Sequence, residues 1–131
     1  MTRHVEGSFE VTSWSEEQTG GLEESAKVST AAIGQRFSGD IEAETVTDTV
    51  MTYSDDGTAE FVSYQRVVGR VGSQAGSFVL RGFGRYDGHE ARTELEVVPG
   101  SARGQLSGLT GNGVAVSPHG STGTYQFDLE L

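Results

Sequence analysis

The chain contains no cysteine. Disulfides, thiolate nucleophiles and cysteine-ligated zinc are therefore excluded. Proline is scarce, at two residues, so little in the sequence interrupts long ladders of backbone hydrogen bonds. Basic residues are also few. Nine Lys and Arg stand against nineteen Asp and Glu, for a net charge of −10. Nucleic acid and anionic membranes both need cations to neutralise phosphate, so neither is an expected partner. No apolar run approaches the length that crosses a bilayer, and the opening MTRHVEGSFEV lacks a signal-peptide apolar core. A soluble, cytoplasmic protein is the expectation. The 131 residues suit a single domain, residues 1–131, able to bury a core without staples.

Helical periodicity is missing as well. Residues 22–33 offer one short helical candidate, and the β-branched Val28, Thr30 and Ile33 count against it. The dominant apolar period is two, the signature of half-buried strands. VEGSFEVTSW alternates Val5, Gly7, Phe9 and Val11 against Glu6, Ser8, Glu10 and Thr12. TYQFDLEL alternates Tyr125, Phe127 and Leu129 against Gln126, Asp128 and Glu130. Turn signals at Ser38-Gly39-Asp40, Asp56-Gly57, Gly72-Ser73 and Asp87-Gly88 separate the runs. SEEQTGGLEES is the longest polar loop candidate, and QLSGLTGNGVAVS is a glycine-rich, irregular strand. About eight strands with short connections predict an all-β fold, a single antiparallel barrel.

Glycine is plentiful, with nineteen residues spread through the chain. The stretch GSQAGSFVLRGFGRYDG, Gly72 to Gly88, poses a choice between a phosphate-cradling loop and a bent strand. A phosphate loop needs a glycine turn between a strand and a helix N-terminus. Here the spacing is not G-x-G-x-x-G, no Lys-Ser/Thr follows, and another strand pattern comes next. The strand reading prevails. Gly82 and Gly84 share one face, and if that face is the lumen they leave room for a ligand.

The stretches GSFEVTSW, FSGDIEAE, MTYSDDGTAEFVSYQRVVGRVG, AGSFVLRGFG, VVPGSARGQLSGLTGNG and YQFDLEL, in that order, carry a resemblance. The chain resembles a bacterial family of domains of unknown function grouped with allene-oxide-cyclase-like β-barrels. The resemblance implies an eight-stranded antiparallel barrel, often oligomeric. It implies no particular reaction. Related barrels hold an apolar substrate in the lumen and steer its cyclisation with little covalent chemistry. The glutamate usual in the family's corresponding stretch is Gln65 here, so a carboxylate role does not transfer.

The three histidines, His4, His89 and His119, show no metal-ligand spacing, and no metal or cofactor is expected. No G-x-S-x-G occurs, which argues against a hydrolase elbow. In GDIEAETVTDTV, Asp40, Glu42 and Glu44 share one parity, and a bulge between Thr45 and Thr49 is expected to switch faces. That switch is the route by which Glu44 would enter the lumen as a general acid or base. In AEFVSYQRVV, Ala59, Phe61, Ser63, Gln65 and Val67 read as the inward face. Gln65 and Tyr53 are then candidates for hydrogen bonding or proton transfer beside Glu44. Trp14, Phe61, Ser63, Phe78, Leu80, Gly82, Tyr125 and Phe127 are the candidate ligand-binding set, because core and pocket share one surface in a barrel. Val62, Tyr64 and Val68 form an outward apolar stripe, expected to be a subunit contact in a homo-oligomer. The functional expectation is a barrel that binds a small apolar molecule, with cofactor-independent cyclisation or isomerisation as its chemistry. The alternative is a filled barrel with a structural or interaction role.

Overall fold

The computed structural model describes residues 2–118 and 120–131. Nine strands form one sheet: β1 (Thr2–Gln18), β2 (Val28–Gly39), β3 (Ile41–Tyr53), β4 (Ala59–Val71), β5 (Gln74–Tyr86), β6 (Ala91–Val97), β7 (Arg103–Gly104), β8 (Thr110–Ser117) and β9 (Thr122–Glu130). Every pairing is antiparallel. The order β4-β3-β2-β1-β9-β8-β6-β5 closes on itself through β4–β5. The result is an eight-stranded up-and-down barrel, with the two-residue β7 paired to the start of β5.

The alternation in the sequence sets the two faces. Along β3, Ile41, Ala43, Thr45, Thr47, Thr49 and Met51 are all buried, and the residues from Glu42 to Val50 between them are exposed. No bulge interrupts this strand, contrary to the expected switch between Thr45 and Thr49. Residues 22–33 form no helix. They comprise a loop and the first half of β2, because Val28, Thr30 and Ile33 pack better on a pleated surface.

The barrel has a packed end and a hollow end. Its packed end holds Val5, Phe37, Ile41, Val67, Phe78, Leu80, Val97, Tyr125, Phe127 and Leu129 in one cluster. The glycine-rich segment between β6 and β8 plugs that end. Pro99 stops β6, and the chain folds back to bury Ala102, Leu106 and Leu109 in the same cluster. Backbone bonds from Gln105 N–H to Ala75 and from Leu109 N–H to Leu106 hold the plug in place.

Glycine serves the packing in a specific way. Gly7, Gly84, Gly113 and Gly123 lie directly opposite Tyr125, Phe61, Phe127 and Phe9 on neighbouring strands. At each of the four, an added Cβ would collide with that aromatic side chain. The aromatic covers the bare backbone of its partner, as happens where strongly curved sheets need glycine. Gly82 is hemmed in too, since its Cβ would lie 2.6 Å from Ser63 Oγ. Gly82 and Gly84 therefore admit neighbouring side chains. They do not leave the empty volume expected at Gly82 and Gly84.

Candidate functional site

One irregularity shapes the hollow end. β1 carries a bulge between Val11 and Ser13, opposite Gly34. Glycine eases the fit there, because a Cβ would crowd the hydroxyls of Ser13 and Thr12 and force them to turn away. The extra residue reverses the parity of β1. Trp14 pairs with Ile33, and Glu16 pairs with Ala31, both partners being buried. Trp14 and Glu16 thus turn toward the mouth, although simple alternation from Phe9 and Val11 places them outside. β1 pairs with β9 only as far as Glu10, so its second half projects as one side of the mouth.

Beneath the mouth lies a cavity of about 290 Å³. Phe9, Val11, Ile33, Met51, Phe61 and Leu95 supply its apolar wall. Trp14, Tyr53 and Tyr86 stand at its rim, and Thr47, Thr49, Ser63 and Gln65 bring polar groups inside. No charged side chain is among the described residues that line it. A larger hollow of about 880 Å³ lies against the outer face of the sheet. It is open, and Val50, Val62, Tyr64 and Phe83 share it with Glu17, Asp48, Arg81, Glu94 and Glu96, so it is a trough on the outer surface.

The amide of Gln65 is fixed at depth. Its Nε2 donates to Gln35 Oε1 and to Thr45 Oγ1, each at 2.9 Å. Thr45 Oγ1 in turn donates to the Gln35 carbonyl at 3.2 Å. Among the described residues no buried side-chain oxygen or nitrogen lacks a partner. Gln65 lines the cavity, and among the described residues no group donates to its Oε1, the acceptor end of the amide.

At the mouth, Glu16 collects three donors. Its Oε2 accepts from Ser29 Oγ and from Tyr53 Oη, both at 2.6 Å, and its Oε1 accepts from Trp14 Nε1 at 3.2 Å. The Ser29 and Tyr53 bonds hold its carboxyl below the usual range, so it is ionised at neutral pH. Burial, and then the Glu16 bond, pushes the Tyr53 phenol up, so Tyr53 is a donor. The Lys27 ammonium lies 4.5 Å from the centroid of the Tyr53 ring.

The expected site residues divide accordingly. Trp14, Tyr53, Phe61, Ser63 and Gln65 come together around the cavity. Phe78, Leu80, Tyr125 and Phe127 belong to the packed end and do not line it. Gly82 lies behind Ser63. Glu44 is on the outer face, where Arg36 Nε donates to its Oε1 at 2.8 Å. Its lumenal placement is corrected: β3 runs without a bulge, so Glu44 keeps the outward parity of Glu42. The carboxylate near the lumen is Glu16, which parity counting missed because the bulge at Thr12 leaves no compositional mark. The one available signal is Trp14, a large aromatic residue that simple alternation from Phe9 and Val11 places on the outer face.

Of the histidines, His4 sits on the outer face between Asp128 Oδ1 at 3.0 Å and Glu6 Oε2 at 3.3 Å. His89 is in an exposed turn, and His119 lies outside the described residues. Among the described residues no group of three His, Asp or Glu is arranged to hold a metal ion. Among them, too, no helix is long and apolar enough to cross a membrane.

This fold and cavity define a class: a small antiparallel barrel, plugged at one end and hollow at the other. The family model described as a protein of unknown function (DUF3224) matches residues 5–129, and the chain belongs to that family. A crystal structure of a DUF3224-family protein with unknown function from Shewanella oneidensis MR-1 is similar to it. The similarity covers 100% of this chain and 98% of that chain, with a TM-score of 0.84 and 29% sequence identity. No curated protein matches the chain.

Proposed function

We propose that the barrel is a cytoplasmic binding protein for a small, mostly apolar molecule held in the hollow end. The observation that supports this reading is the uncharged cavity of about 290 Å³ with Gln65 at depth and an aromatic rim. That volume is at the lower bound of ordinary ligand pockets, which suits a ligand of few heavy atoms. The chemistry such a site favours is cyclisation or isomerisation by restraint of a reactive conformer. Gln65 Oε1 and the Tyr53 hydroxyl are the groups placed to hydrogen-bond the ligand. Binding is tested by calorimetric titration with octanol as a neutral apolar probe. Saturable one-to-one binding is expected. Thr47→Phe, which fills the cavity from a buried inward position, is expected to weaken it at least about tenfold. An absence of octanol binding to the native protein would sink the reading.

A second reading, self-association, rests on the outer face of β3–β5. Val50, Val62 and Phe83 lie side by side in register there, and Val46, Tyr64 and Val68 extend the patch. The outward charges on these strands are four acids, Glu42, Glu44, Asp48 and Glu60, and four bases, Arg66, Arg70, Arg81 and Arg85. The face is neutral, while the whole chain carries −10. Two copies can therefore meet at this face without the repulsion that the other surfaces impose. Sedimentation is expected to give a homo-oligomer that Val62→Glu converts to monomer with an unchanged circular dichroism spectrum. A native protein that is monomeric at high micromolar concentration would exclude this assembly.

A further inference from the structure

The mouth of the barrel is chemically unlike the cavity below it. The described cavity wall is uncharged, yet the bulge of β1 brings the ionised Glu16 to the rim beside Trp14 and Tyr53. We propose that this rim is a recognition site for an ammonium group, and that the ligand is an amphiphilic amine whose apolar body fills the cavity. The inference rests on the ligand-binding reading above and names the ligand class.

Three features on the molecule carry it. First, the chain already seats an ammonium there: Lys27 Nζ stands 4.5 Å from the Tyr53 ring centroid. A cation over an aromatic face is attracted by the ring's quadrupole, and a nearby carboxylate adds to that attraction. Second, Glu16 has an acceptor site to spare. A carboxylate offers about four lone-pair sites, and Ser29, Tyr53 and Trp14 use three. The three neutral donors fix its orientation without neutralising its charge. Third, selection against anions is built in twice. An anionic headgroup at the rim would face Glu16 directly, and the net charge of −10 repels anions and concentrates cations around the molecule. Trp14 and Tyr53 belong both to the rim and to the cavity wall, so one ligand reaches both environments. Lys27, immediately before β2, then acts as the resident occupant that the ligand amine displaces.

The test compares three probes with the same eight-carbon chain: octylammonium, octanol and octanoate. Trp14 is the sole tryptophan, so its emission reports on the mouth. The native protein is expected to bind octylammonium about tenfold more tightly than octanol, and octanoate most weakly. Glu16→Gln keeps the shape and an acceptor oxygen, and is expected to bring octylammonium and octanol to parity. Lys27→Ala vacates the Tyr53 face and is expected to tighten octylammonium severalfold. If octanol binds as well as octylammonium, or Glu16→Gln leaves the preference intact, the ammonium site is overturned while the apolar cavity reading stands. If Lys27→Ala weakens octylammonium, the displacement model is overturned. If no probe binds, both readings fall together.

Discussion

Tyr125→Ala is expected to lower the unfolding free energy by about 3–5 kcal/mol, the range for deleting a buried aromatic side chain. Tyr125 is 1% exposed and central to the packed end. Its ring stacks on Phe37 with centroids 4.9 Å apart, and meets Phe127 at 5.8 Å. Its hydroxyl crosses to the β2–β3 turn. It accepts from Ile41 N–H at 2.9 Å and donates to the Ser38 carbonyl at 2.8 Å. The phenol is pushed up by burial, so it remains a donor across the working range of pH. Access for the ring depends on Gly7, whose missing side chain leaves the space that the Tyr125 hydroxyl fills. Tyr125→Phe separates the two contributions. It keeps the stack but strands a buried N–H at Ile41, for an expected loss of about 1–3 kcal/mol. Urea unfolding followed by circular dichroism measures both. A Phe variant as stable as the native protein would show that the hydroxyl does not latch the turn.

Gly84→Val is the second large effect. A side chain at Gly84 lands on the Phe61 ring and lies 2.9 Å from the Arg92 carbonyl at its Cβ. Phe61 is directly opposite in the ladder, and it forms part of the cavity wall. Overpacking of this kind costs about 1–3 kcal/mol, and the displaced ring has only the cavity to enter. The variant is therefore expected to lose stability and octanol binding together. Phe61→Ala in the same chain should recover part of the loss, with a coupling of about 0.5–3 kcal/mol from the double-mutant cycle. Simple additivity of the two changes would mean that Gly84 is required for its backbone alone.

The barrel was legible because a closed sheet imposes one rule on every strand. β3, β4 and β9 keep strict alternation, and their turns carry the residues that each turn conformation demands. Gly39, Gly57, Gly72 and Gly88 all take positive φ at connections read from the sequence. The choice of Ala59, Phe61, Ser63, Gln65 and Val67 as the inward face of β4 agrees with the structure. The site was legible only in part. Gln65, Tyr53, Phe61, Ser63 and Trp14 converge on one cavity, whereas Glu44 and Glu16 exchange sides relative to simple parity counting with a bulge in β3. The exchange has a single cause, one extra residue in β1 and none in β3.

By itself the sequence determined the all-β class, the number of barrel strands, the inward parity of regular strands and the family. The first three follow from local chemistry: a period of two, turn residues at short intervals, and proline where a ladder stops; the family follows from the ordered match along residues 5–129. Tertiary structure alone decided which end of the barrel is filled. The plug at Leu106 and the bulge at Thr12 are long-range choices, made by what lies across the sheet. Gly34 opposite the bulge admits it, and the bare backbones of Gly7, Gly84, Gly113 and Gly123 admit four aromatic side chains. A parity pattern is blind to one inserted residue, because alternation records sequence separation while a lumen is defined by which strands close around it.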